Sequence, residues 1–193
     1  MARIAIIQGH PTPGGKHFSH ALGEAYAEGA AAGSHEVRFI AVAELDFPLI
    51  RSKADWDGAP PPLVIAEAQQ TISWAEHLVI FYPLWLGGMP ALLKGFLEQV
   101  LRPAFMTGGR EGASWKSALK GKSSRIVVTM GMPAFIYRLY FGAHSLKSLK
   151  RSILSFVGFG PNRHTLIGAI ESMDDAKRKA WLDVMRKLGK TSR

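Results

Sequence analysis

The sequence predicts an α/β fold, a five-stranded parallel sheet with helices on both faces, and three observations carry that prediction. Strand-like and helix-like stretches alternate about five times along the chain. The strand-like runs are short, continuous and rich in β-branched residues, as strands buried on both faces are. The first of them, Ile4-Ala-Ile-Ile-Gln-Gly-His10, opens into a loop of Gly, Pro and hydroxyl residues and then into an amphipathic pattern that reaches Leu22. Strand, polar loop, helix is how an open sheet binds a phosphate, because loop N–H groups and the positive end of the helix dipole face the anion together.

The elements follow in order. Arg3 to Gln8 reads as the first strand. The first helix starts near His17 or Phe18, buries Phe18, Ala21, Leu22, Ala25 and Tyr26, and unwinds over Gly29 to Gly33. His35 to Val42 is the second strand. Leu45 to Pro62 carries four prolines and reads as a surface excursion. Leu63 to Trp74 is a helix with Ile65, Ala68 and Ile72 on its inner side, and Leu78 to Tyr82 is the third strand. Pro90 suits the first turn of the next helix, whose buried face is Leu93, Phe96, Leu97, Val100 and Leu101. Arg102 to Ser124 is irregular, with Gly108, Gly109 and Gly112. Arg125 to Thr129 is the fourth strand. Ser145 to Phe156 is helical, with Leu146, Leu149 and Ile153 in register, and Gly158 and Gly160 end it. Thr165 to Ile167 is the fifth strand. The last helix opens on a capping box of Ser172 and Asp175 and buries Ala180, Trp181, Val184, Met185 and Leu188.

At 193 residues the chain suits one domain and buries roughly 70% of its unfolded surface. It has no cysteine, which excludes disulfides, thiolate metal sites, iron–sulfur clusters and a cysteine nucleophile. Any redox chemistry therefore needs a bound organic cofactor. There is no signal-peptide pattern and no run of about 20 apolar residues, so a soluble, cytoplasmic protein is expected, not an integral membrane one. The net charge is +9, with basic residues concentrated at Lys116 to Arg125, Arg138 to Arg151 and Lys177 to Arg193. Such a field draws anions, but nucleic-acid motifs are missing, so an anionic cofactor is expected and no nucleic acid.

The fold places every strand-to-helix loop at one rim, where open sheets bind ligands. The dinucleotide and P-loop glycine patterns are both absent from the first loop. Its candidate phosphate ligands are Thr12 and Ser19, with charge from Lys16, His17 or His20. The loop after the third strand offers Trp85 beside backbone bared by Gly87 and Gly88, and the loop after the fourth offers Gly131. Phosphate donors, a flat wall and exposed amides suit a ring-bearing phosphate ester such as FMN or FAD. His10, His17 and His20 have no carboxylate near them in sequence order of the loop, so no metal is expected; His20 and His164 read as surface residues.

These motifs resemble the flavodoxin-like NAD(P)H:quinone oxidoreductases and their bacterial relatives, including ancillary subunits of potassium efflux systems. The resemblance rests on Gln8-Gly9-His10-Pro11 with Phe18-Ser19, on Phe81-Tyr82-Pro83-Leu84-Trp85-Leu86-Gly87-Gly88-Met89-Pro90, on Thr129-Met130-Gly131 and on Ile153 to Phe159. It implies a flavin, FMN or FAD, with its phosphate on His10, Thr12, His17, Phe18 and Ser19. The ring would lie against Pro83, Leu84, Trp85, Leu86, Gly87, Thr129, Met130 and Gly131. It also implies NAD(P)H as hydride donor, a quinone as acceptor, ping-pong turnover and a homodimer. A catalytic tyrosine and histidine follow the fourth strand in that family; Tyr137 and His144 match, spaced one residue wider, with Tyr140 as the rival tyrosine. Two departures stand out: Met130 and Met132 flank a single Gly131, and the first loop reads His17-Phe18-Ser19 where the family has Ser-Phe-Asn. The alternatives are a regulatory subunit of a potassium efflux system and a flavodoxin-type electron carrier.

Overall fold

Strands β1 (Arg3–Gln8), β2 (Glu36–Ala41), β3 (His77–Pro83), β4 (Ser123–Thr129) and β5 (Asn162–Ile167) pair in parallel in the order β2-β1-β3-β4-β5. The structure is a computed structural model and describes residues 1–58, 60–109, 114 and 118–192. The register aligns Gln8 with Ala41, and Pro83 with Thr129 and Ile167, so the carboxyl ends of the strands form one rim. Strand order reverses between β1 and β3, and there the loops diverge and leave a crevice. The predicted fold class is the observed one; β3, β4 and β5 begin one to three residues earlier than the sequence-based ranges, and β2 is a residue shorter at each end.

Alternation along each strand sorts the core into two layers. Ala5, Ile7, Ile80, Tyr82, Ile126 and Val128 face one side, and Ile4, Ile6, Val79, Phe81 and Val127 face the other. The first layer packs under α3 (Leu63–Trp74), α4 (Ala91–Val100) and α7 (His144–Lys147), and the second under α1 (Phe18–Ala32) and α8 (Asp175–Lys190). The predicted inner residues of α3 and α4 are all buried. Shorter helices α2 (Lys53–Asp57), α5 (Pro103–Met106) and α6 (Ala134–Leu139) fill the connections. Gly112 and Lys116 lie outside the described residues.

Four expectations are corrected. Gly29 does not unwind α1, which runs on to Ala32. It is instead where α8 lies against α1: a Cβ on Gly29 would sit 2.0 Å from the Arg186 carbonyl oxygen, and one on Gly189 would sit 2.0 Å from that of Tyr26. The last helix is capped by Asp174, whose carboxylate accepts from the Lys177 N–H at 2.8 Å, and not by Ser172. Its Ala180 and Val184 are exposed, and Leu182 and Gly189 take their places on the inner side. Finally, α7 continues over Ser148–Ser155 with a wider, i→i+5 winding. That winding brings Leu149 and Leu154 into the core and leaves Ile153 only partly buried.

Candidate active site

The rim is tied together by backbone bonds at the strand ends. The Gly9 N–H donates to the Phe81 carbonyl at 2.7 Å and the Leu84 N–H to that of Thr129 at 2.7 Å. Gln8, the last residue of β1, turns its amide to the first turn of α1 and donates to the Ser19 carbonyl at 2.9 Å. These bonds fix the first, second and third loops relative to one another.

The first loop gathers three imidazoles. His10 is buried and stacks on His17 at 3.9 Å between centroids, with His20 at 5.2 Å. The Thr12 N–H donates to His10 Nδ1 at 3.1 Å, and the His17 N–H donates to His20 Nδ1 at 3.3 Å. In the neutral form both rings therefore carry their proton on Nε2. Burial, then the charges of His17 and His20, push the His10 pKa down to about 4. Burial and His17 lower that of His20, against the opposing pull of Glu24 and Glu44. His10 is thus neutral at pH 7 and serves as a hydrogen-bond donor, not a fixed charge.

Ser19 sits in the first turn of α1, 3% exposed, and its Oγ has no hydrogen-bond partner. No acidic residue occupies that first turn to offset the helix dipole. Gly14 and Gly15 take φ of +84° and +70°, which keeps the loop swung open beside Thr12, Lys16 and His17, all exposed. Partly buried Phe18 lies under the Arg178 guanidinium, 5.2 Å from its ring centre, and Arg178 also donates to the Ile170 carbonyl. An orphaned buried hydroxyl, imidazole N–H groups and an uncompensated helix start fit a phosphate.

The second loop is a tight hairpin. Trp85 and Gly88 exchange two backbone bonds of 2.9 Å, with Leu86 and Gly87 at φ of +45° and +76°. A leucine in that region is strained, and this one is wholly exposed. Trp85 is half exposed and turns its ring edge toward His10, 6.1 Å between centroids. This contact joins the first two loops. Pro83 is buried as the last residue of β3, with Leu84 half-buried beside it.

In the third loop Thr129 and Met130 are buried, and their backbone groups are engaged: Met130 donates to Ile167 and accepts from Ile170. Gly131 is the exposed residue there. A Cβ on it would meet the Glu171 carboxylate at 3.1 Å, so the loop after β5 also reaches the rim. Glu171 went unpredicted, although the rule that sends every strand-to-helix loop to this edge applies to it equally. A cavity of about 300 Å³ beside the first loop is lined by His10, Thr12, His20, Glu24, Phe39 and Glu44. His20 is therefore part of the cluster and not a plain surface residue, and carboxylates do accompany the histidines. Among the described residues no group of three His, Asp or Glu has a metal-holding arrangement.

Of the predicted catalytic pair, Tyr137 is turned into the core and His144 is exposed. Tyr137 is 1% exposed, and its hydroxyl lies 2.7 Å from Ser145 Oγ and accepts from the Leu146 N–H at 3.1 Å. It is a latch between α6 and α7. His144 is exposed at the start of α7, its ring folded over Gly142, and Tyr140 is exposed against Phe141 at 4.9 Å. Among the described residues no helix is long and apolar enough to cross a membrane.

Comparison with known proteins agrees with this fold. The family model described as the flavodoxin-like fold matches residues 2–188. An uncharacterised NAD(P)H oxidoreductase of Haemophilus influenzae is 28% identical over 183 residues, covering 93% of this chain and 90% of that protein. The structure of the NAD(P)H:quinone oxidoreductase of Methanothermobacter marburgensis superposes with a TM-score of 0.80 at 23% identity, covering 98% of this chain and 95% of the other. An FMN-dependent NADH-azoreductase of Bacillus anthracis, solved in complex with FMN, superposes with a TM-score of 0.75 at 16% identity and covers 99% of both chains.

Proposed function

The chain belongs to the flavodoxin-like fold family, and from that premise we propose that it is an FMN-dependent NAD(P)H oxidoreductase that reduces a quinone or similar acceptor by two electrons. The observation that carries this reading is Ser19: a buried, unpartnered hydroxyl at an uncompensated helix start, among imidazole donors, within one loop of an exposed tryptophan. The names of the relatives, NAD(P)H and quinone oxidoreductases and an FMN-bound azoreductase, point the same way.

When bound, the flavin supplies the hydride chemistry. The chain's own residues do the rest. Thr12, His17, the Ser19 hydroxyl and the first-turn backbone at Phe18 and Ser19 would hold the phosphate, with His10 able to donate from Nε2. Trp85, Leu86 and Gly87, with Pro83 and Leu84, would hold the ring, together with the bare backbone of Gly131 on the buried support of Thr129 and Met130. With the Tyr137 hydroxyl committed to Ser145 and Leu146, the proton-handling role passes to His144 or Tyr140, whose side chains are exposed. NAD(P)H and the acceptor use one slot in turn, which makes turnover ping-pong. The exposed Phe135, Leu139, Tyr140 and Phe141 form an apolar face that suits a homodimer. A cytoplasmic location, where NAD(P)H is held, goes with this activity.

The test is reconstitution. Protein stripped of cofactor should take up FMN, turn yellow, bleach with NADPH or NADH, and recover colour on adding a quinone. Ser19→Ala should weaken FMN binding about tenfold in a fluorescence titration and leave the denaturation midpoint unchanged or slightly raised, because its hydroxyl bonds nothing inside the protein. A preparation that takes up neither FMN nor FAD would overturn the assignment. The mass of the released cofactor separates the two flavins.

A further inference from the structure

The whole net charge of this protein lies in one acid-free stretch. Residues 112–170 hold nine Lys and Arg and no Asp or Glu, while the remaining residues carry fifteen of each. Folding concentrates part of that charge. Arg138 of α6, Lys147, Lys150 and Arg151 of the α7 segment and His164 of β5 line a cavity of about 590 Å³ at the β5 edge of the sheet. Lys147, Lys150 and Arg151 follow one another within about one wide turn of that segment, and all three line the cavity. No acidic residue lines the cavity. Among the described residues none of Arg138, Lys147, Lys150 or Arg151 has an ion-pair partner.

Charges on an ordinary basic surface spread over a convex face and stay solvated. Here three elements aim them into a concavity, where low-dielectric walls focus the positive potential. Lys150 Nζ lies 3.4 Å from His164 Nδ1. The His164 pKa is held below its usual value by burial first, then by Lys150, Arg125 and Arg138. The floor is apolar, made by Ala143, Leu146 and Leu166. Four permanent cations exceed what one phosphate neutralises, and the volume falls in the range of small-molecule sites. This cavity shares no residue with the first-loop cradle.

We propose that the β5-edge cavity is a second anion site that binds an organic ligand bearing two phosphate groups, with its apolar part on the leucine floor. Two sources share that chemistry: a free nucleoside diphosphate, or a lipid headgroup with two phosphates. The proposal stands independently of the flavin reading, and saturating FMN should leave it unaffected.

The experiment uses the full chain with FMN present and absent. ADP is titrated by calorimetry, and cardiolipin vesicles are tested by co-sedimentation against phosphatidylcholine vesicles. The Lys147→Ala/Arg151→Ala double variant, both exposed positions, should weaken whichever probe binds at least tenfold and keep FMN affinity unchanged. Ring NMR of wild-type His164 should show its titration midpoint moving up on saturation, a readout that needs no variant. ADP binding lost in the variant identifies the free diphosphate. Vesicle binding lost in the variant, without ADP binding, identifies the headgroup. Binding of neither probe, binding indifferent to the double variant, or a His164 midpoint that does not move overturns the proposal.

Discussion

His77 is the residue where burial has the plainest thermodynamic consequence. It is 4% exposed, its Nδ1 meets Ser123 Oγ at 2.7 Å, and its Nε2 has no partner. Burial, then Arg125 and Arg163, bring its pKa down to about 4. The unfolded chain takes up a proton here below pH 6.5 while the native state does not, so stability is full above that pH and drains away as pH falls toward 4. The difference amounts to about 3 kcal/mol at most. His10 acts in the same window and direction in the cofactor-free protein. Urea midpoints should therefore drop between pH 6.5 and 4, and His77→Asn should flatten much of that slope. Tyr137 makes a contrasting case. Removing its hydroxyl strands the Leu146 N–H, so Tyr137→Phe should cost about 1–2 kcal/mol in urea unfolding. The rate of flavin reduction per folded molecule should stay unchanged. A large loss of rate at unchanged stability would return Tyr137 to catalysis.

At the scale of elements, the contact between α1 and α8 depends on two glycines. With Gly29 against Arg186 and Gly189 against Tyr26, the two helix backbones touch without intervening side chains. Alanine is the better helix former, by about 1 kcal/mol, yet at Gly29 its methyl would have to displace a backbone carbonyl. Gly29→Ala should therefore destabilise the protein by about 2–3 kcal/mol, read as a lower urea midpoint, because the helices must separate. A midpoint that rises instead would mean that the helices slide apart freely. The hairpin at Trp85–Gly88 shows the opposite economy. It accepts a strained Leu86 to hold Trp85 beside His10.

For the whole molecule, charge and apolar exposure are segregated. The acid-free stretch supplies both the β5-edge cavity and the exposed Phe135, Leu139, Tyr140 and Phe141. If that apolar face joins two copies of the chain, as proposed, Leu139→Asp with Tyr140→Asp should convert the dimer to a monomer. Light scattering would read this as a halved mass at unchanged secondary structure. A mass that stays at the dimer value would put the interface elsewhere.

The sequence by itself determined what is local. Helical period fixed both bounds of α3 and the inner face of α4, and unbroken apolar runs marked the strands, because each signal lies within a few residues of its cause. The first-loop donors, proposed here to hold a phosphate, were readable for the same reason: they adjoin one helix start. The tertiary structure alone decided the contacts between distant residues. Gly29 reads as a helix breaker until Arg186 is laid against it, and the bond between the Tyr137 hydroxyl and Ser145 exists only in the folded chain. Glu44 becomes a neighbour of His20, and Glu171 of Gly131, only once parallel pairing brings the strand ends to one rim. Close approach is a property of packing, and periodicity along the chain carries no record of it.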